Sequence, residues 1–228
     1  MERTGESRVS ASPEVLRVLT RVARHEVGDL LQTVYATVAL LQERLPATLA
    51  LEKRLLADVR WRAETCKNEL DAIHDLVCPI SVTIAPVDLA EVIENLATTF
   101  ARRSGEVRIV TEPVPVAVLA DGRRLVQAGY LLLSAACQSA HHEVRLRGFR
   151  DVKEQMGGLE IRDDGPGVPE EQLRWQKAPF VTTRNALGGL GLALAEHLAE
   201  LQNGRADAAN LPGGGFRVRL FAPLAPTR

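Results

Sequence analysis

Asp163-Asp164-Gly165-Pro166-Gly167 follows the apolar run Leu159-Glu160-Ile161, and further on Gly188-Gly189-Leu190-Gly191-Leu192-Ala193-Leu194 opens a helical pattern ending at Asn203-Gly204. A carboxylate at a strand end can accept a hydrogen bond from a purine amino group, and the glycines after it let backbone lie close to the ring. A second glycine cluster at a helix start offers unpaired backbone N–H groups and the positive dipole end to phosphates. Each cluster alone reads most simply as a turn. Their order, with Ala178-Pro179-Phe180-Val181-Thr182-Thr183-Arg184 between them, makes a nucleotide pocket the better reading.

Asp163-x-Gly165-x-Gly167, Pro179-Phe180-Val181-Thr182-Thr183-Arg184 and Gly189-Leu190-Gly191-Leu192 resemble the first glycine box, phenylalanine box and second glycine box of sensor histidine kinases. The wider superfamily contains gyrase, the heat-shock chaperone and the mismatch-repair ATPases. The resemblance implies a GHKL-type ATP-binding domain whose nucleotide site is lined by Asp163, Gly165, Gly167, Thr182, Thr183, Arg184, Gly189, Leu190, Gly191 and Leu192.

Upstream, Ser12-Pro13-Glu14 is a helix start, with a capping serine, proline in the first turn and an acid beside it. Leu16, Leu19, Val22, Val27, Leu30, Val34, Val38, Leu41 and Leu45 recur at three- and four-residue steps. They predict an amphipathic helix of about eight turns ending near Pro46. A second helical pattern runs from about Ala47 to Val77 and stops before Pro79. Two such helices form an antiparallel hairpin that cannot bury both apolar faces alone, so a homodimer with a four-helix bundle is expected.

Arg21, His25, Asp29 and Gln32 share one face of the first helix as a polar stripe. An exposed histidine among carboxylates can present a ring nitrogen as a nucleophile, with Glu26 and Asp29 orienting the imidazole or accepting its proton. His25-Glu26-x-x-Asp29-Leu30 resembles the phospho-acceptor box of histidine kinases. The proline usual after that box is missing. Gly28, which costs about 1 kcal/mol relative to alanine inside a helix, stands where local flexibility is wanted. His74 has no comparable context.

Between hairpin and pocket, Cys78 to Pro86 reads as an extended connection, and Asp88 caps a helix over Leu89 to Arg103. Val107–Val110, Val114–Ala120, Val144–Arg147, Leu159–Ile161 and Phe216–Leu220 read as extended, and Arg123 to about Ala140 as a helix. The fold class expected is therefore α+β. A polar tail covers residues 1–12, the dimerisation and phosphotransfer hairpin 13–79, and an α/β-sandwich ATP-binding domain 80–228.

One stretch departs from the family. Histidine kinases carry Asn-Leu-Leu-x-Asn-Ala-x-Lys/His where this chain has Tyr130-Leu131-Leu132-Leu133-Ser134-Ala135-Ala136-Cys137. In the family those asparagines hold Mg²⁺ and the triphosphate. Ser134 offers one short oxygen to the nucleotide or its metal; the metal ligands are otherwise unknown, and Mg²⁺ is left open as a cofactor beside ATP. Two functions follow from the resemblance. One is a two-component kinase core that autophosphorylates on His25 and donates to an aspartate of a response-regulator receiver domain. The other is a relay protein or pseudokinase with a vestigial ATP domain.

The 228 residues are 46% apolar and 25% charged with a net charge of −1, which fits an ordinary globular protein with no global pull toward nucleic acid. Cys66, Cys78 and Cys137 have no metal-ligand spacing and read as reduced thiols. No apolar run reaches the length of a membrane span, and Met1 to Ser12 lack a signal-peptide pattern, so a cytoplasmic location is expected. Sensory input then comes from a separate sensor protein or from a longer parent chain.

Overall fold

The computed structural model describes residues 12–46, 48–101, 107–169 and 186–226. The chain divides into two compact units, Met1–Pro79 and Ile80–Arg228, and its class is α+β.

In the first unit, α1 spans Pro13–Arg44 and α2 spans Ala50–Val77. Ser12 caps α1 by accepting from Val15 N–H at 3.3 Å, and Pro13 fills the first turn, where a missing N–H costs nothing. Leu45 N–H closes the other end on Leu41 C=O, and Pro46 prevents continuation. The second helix begins at Ala50, later than periodicity suggested. The two run antiparallel, with Arg17 Nε donating to Val77 C=O at 3.3 Å. Small residues, Ala63 and Ala72, let the backbones approach, and Leu31 and Val38 fill the seam. Much apolar surface is left over: Leu19, Val22, Leu30, Leu41, Leu51 and Leu55 are all exposed.

The second unit is a mixed sheet with helices on one face. Its strands are β1 (Ala85–Asp88), β2 (Arg108–Glu112), β3 (Ala117–Ala120), β4 (Glu143–Asp151), β5 (Met156–Asp163), β6 (Arg205–Asn210) and β7 (Phe216–Pro223). The main sheet runs β2-β4-β5-β7-β6, parallel between β2 and β4 and antiparallel elsewhere, while β1 pairs with β3 separately. The helices are α3 (Leu89–Ala101), α4 (Gly122–Ser139) and α5 (Ala186–Glu200). Asp88 Oδ1 caps α3 by accepting from Ala90 N–H at 2.9 Å. Asp121 caps α4 by accepting from Arg123 and Arg124 N–H, and a third backbone bond from Thr83 helps hold its carboxyl below the usual range against the desolvation that raises it.

Alternate residues of the central strands bury Val144, Leu146, Leu159, Ile161, Val218 and Leu220 beneath the helices. Ile93, Leu96 and Phe100 of α3, Leu131 and Leu133 of α4, and Leu194 and Leu198 of α5 complete the core. Gly129 on α4 is required by packing, since a Cβ there would come within 2.7 Å of Leu96 Cδ1. Gln202 joins α5 to the start of α4: its Oε1 accepts from Asp121 N–H at 2.5 Å and its Nε2 donates to Leu198 C=O at 2.7 Å. The strands β1 and β6 were not expected from the sequence. The run Val114–Ala120 proves to be a strand only over Ala117–Ala120.

Candidate functional site

The end of β5 and the middle of α4 define the candidate pocket. Asp163 closes β5, paired with Val144 on one side and Phe216 on the other. Its Oδ1 accepts from Gly165 N–H at 2.9 Å, which turns the chain sharply. Burial pushes the Asp163 carboxyl up, and the charge of Asp164 adds to this against the backbone N–H groups of Gly165 and Phe216. Gly165 has no room for a side chain: a Cβ would lie 2.3 Å from Ser139 C=O at the end of α4. Gly167 takes φ +71° with Asn210 Oδ1 where its Cβ would be. Asn210 then clips the loop, accepting from Val168 N–H at 2.9 Å and donating to Val168 C=O at 2.7 Å.

Asp164 points away to a different task. Against its desolvation, the backbone N–H groups of His142, Glu143 and His141 hold its carboxyl down to about 2. It thereby ties the exit of α4 to the loop, and His141 and His142 remain exposed. Cys137 reaches the same corner from α4; burial and then the charge of Asp163 push its thiol up to about 12.

The second glycine cluster meets α4 further back. Gly191 lies against Leu131, where a Cβ would stand 3.3 Å from Leu131 Cβ. Leu190 and Leu192 are buried core residues of α5. Leu131 and Ser139 are eight residues apart, so the two glycine boxes meet α4 with about 12 Å of helix between their contacts. Helix α5 is described from Ala186 onward. Thr182, Thr183 and Arg184 fall outside the described residues.

Ser134 stands on α4 midway between Leu131 and Cys137, three residues from each and on the same side of the helix. Its side chain is buried, with Gln138 Nε2 at 3.5 Å from its Oγ. Tyr130 lays its ring against Phe100 at 5.0 Å. Mg²⁺ takes oxygen ligands in near-octahedral array, mostly waters and substrate phosphates with one or two groups from the protein. Among the described residues there is no group of three or more His, Cys, Asp and Glu that could hold a metal by itself.

In the other unit, His25 Nδ1 lies 3.3 Å from Asp29 Oδ2 and 3.8 Å from Glu26 Oε1. The His25 side chain is 73% exposed. Gly28 has open space where its Cβ would be, so packing does not demand glycine there. The residues that reading the sequence missed are Asn210 and Gly215, whose N–H donates to Gly165 C=O at 2.8 Å. The triple Gly213-Gly214-Gly215 was the available signal.

Residues 120–226 match the family described as histidine kinase-, DNA gyrase B-, and HSP90-like ATPase. The sensor histidine kinase ZraS of Klebsiella oxytoca is 26% identical over 205 residues, covering 88% of this chain and 44% of that protein. The sensor histidine kinase MtrB of Mycobacterium leprae is 32% identical over 225 residues, covering 91% of this chain and 39% of that protein. The chain thus spans less than half the length of these curated relatives. Full-length ShkA, solved in complex with AMPPNP, shares the fold with a TM-score of 0.66 at 23% identity, covering 95% of this chain and 47% of that one. The mycobacterial sensor histidine kinase MprB superposes with a TM-score of 0.53 at 25% identity over 64% of this chain and 100% of that one. No helix among the described residues is long and apolar enough to cross a membrane.

Proposed function

We propose that the chain, whose residues 120–226 match the histidine kinase-, DNA gyrase B-, and HSP90-like ATPases, is a histidine kinase core that binds ATP, phosphorylates itself on His25 and passes the phosphoryl group to an aspartate of a response-regulator receiver domain. The purine amino group donates to Asp163, the ring lies against Gly165 and Cys137, and the phosphates run along α4 toward the first turn of α5 near Gly189 and Gly191. Thr182, Thr183 and Arg184 close the phosphate end. His25 Nε2 attacks the γ-phosphorus, the bond to the bridging β-phosphate oxygen breaks, ADP leaves, and the Nδ1 proton passes to Asp29 or Glu26. Positioning and charge stabilisation supply the acceleration. Residues 13–79 act as the dimerisation and phosphotransfer hairpin, 80–228 as the ATP-binding domain, and the exposed leucines of α1 and α2 meet a second copy in a four-helix bundle.

The observation that supports this most is the state of His25, exposed and with the Asp29 carboxylate 3.3 Å from its Nδ1. Calorimetric titration with ATP tests the first half. Saturable binding lost in Asp163→Asn is expected; equal binding by both proteins contradicts the pocket assignment. A relay reading, in which His25 passes on phosphate made elsewhere, gains from one observation: α4 carries Tyr130 and Ser134 where the family has asparagines, and the Tyr130 ring packs on Phe100.

A further inference from the structure

The main sheet of the second unit carries α3, α4 and α5 on one face, and its other face is built of charge. Strand alternation places Arg145 and Arg147 of β4, Glu160 and Arg162 of β5, Arg217 and Arg219 of β7, and Asp207 of β6 there. Register sorts them into two rows. In one, Arg147, Glu160, Arg219 and Asp207 alternate in sign. In the other, Arg145, Arg162 and Arg217 stand directly opposite one another across three strands. Like charges in that relation destabilise a sheet unless something offsets them.

The offset within the chain is incomplete. Glu160, at 0% side-chain exposure, faces Arg147, Arg162 and Arg219 at 2.7, 2.5 and 2.5 Å, one negative charge for three positive. Arg162 Nε lies 2.5 Å from that carboxylate, and Arg217 Nε is buried with no hydrogen-bond partner among the described residues. Arg217 Nη2 comes only within 3.8 Å of Asp207. Arg145 is drawn to the rim by Glu143 at 2.6 Å and Glu112 at 3.8 Å. Beside the rows, Phe149 and Phe221 meet edge to face at 4.9 Å, with Arg219 and Arg205 over their rings at 5.4 and 4.0 Å. Arginines over aromatic rings are the composition that protein-binding surfaces concentrate.

We infer that this face docks a helix of a partner protein through a stripe of carboxylates laid along the Arg145–Arg162–Arg217 row. Neighbouring strands lie about 4.8 Å apart and carboxylates three or four residues apart on a helix rise about 4.5–6 Å, so a helix crossing the strands keeps step with the arginines. Planar guanidiniums take carboxylates in bidentate pairs. The interleaved acids, Glu160, Asp207 and Glu112, repel a continuous phosphate backbone but leave gaps that discrete carboxylates fit. The inference is independent of ATP binding and of His25.

The test titrates the ¹⁵N-labelled full chain with a synthetic helical peptide bearing glutamates on one stripe, with a scrambled peptide of the same composition and with duplex DNA. Expected are saturable shifts on the outward residues of β4, β5 and β7 with the stripe peptide alone. Arg162→Glu with Arg217→Glu weakens that binding by about tenfold or more, as does raising salt from about 0.05 to about 0.3 M. Arg145→Glu serves if the double variant fails to fold. No saturable binding, equal binding of both peptides, tighter binding of DNA, or indifference to charge reversal overturns the inference.

Discussion

His25 and Asp163 carry opposite energetic signatures, and that separates function from stability at single residues. His25 is exposed, so His25→Ala should leave the melting midpoint nearly unchanged, within about 0.5 kcal/mol. Asp29→Asn should slow phosphorylation by about a hundredfold if the carboxylate takes the Nδ1 proton, read from initial rates of label incorporation. Asp163 is buried with its carboxyl pushed up. A raised acid contributes stability below its unfolded value that is lost as pH rises through the folded one. Asp163→Asn should therefore be at least as stable as the parent at neutral pH while losing nucleotide.

Glu160 behaves in the reverse way. Desolvation raises it, but Arg147, Arg162 and Arg219 outweigh that and hold its carboxyl down to about 2. Its contribution is present above the unfolded value of about 4.3 and is lost as pH falls toward about 2. Acid melts of Glu160→Gln should show lower stability at pH 7 and a flatter loss over that window. An unchanged acid limb would contradict the role given to the three arginines.

Among elements, α4 is the one whose role differs most from its sequence resemblance. Ser134→Ala removes a buried hydroxyl and should cost about 1 kcal/mol in denaturant melts. Leu133→Ala beside it should cost about 2–5 kcal/mol in denaturant melts. The hairpin helices make a complementary case. Val22→Glu places a charge on exposed apolar surface of α1 and should shift the sedimentation coefficient from dimer to monomer while helicity persists. Long helices with caps and strict periodicity were legible because local pattern and tertiary packing agree there. The edge strand β6, Arg205-Ala206-Asp207-Ala208-Ala209-Asn210, was not. Its alanines have little β propensity, and pairing with β7 alone makes it a strand. Strand β1 was hidden by Pro86, tolerated because its pairing is confined to β3.

At the scale of the molecule, the glycine boxes could be placed in order from sequence, but the wall between them could not. Which face of α4 meets the pocket depends on Gly165 under Ser139 and Gly191 against Leu131, contacts set by the register of β5 and by α5 packing on α4. That is why Cys137 belongs to the corner beside Asp163.

The account turns on whether this pocket serves His25. Incubating the full chain with γ-labelled ATP and Mg²⁺, beside His25→Ala, is the most direct measurement. The account predicts acid-labile, base-stable label on the parent chain and none on the variant. Nucleotide that binds while the parent chain stays unlabelled, or label that survives in His25→Ala, would contradict it.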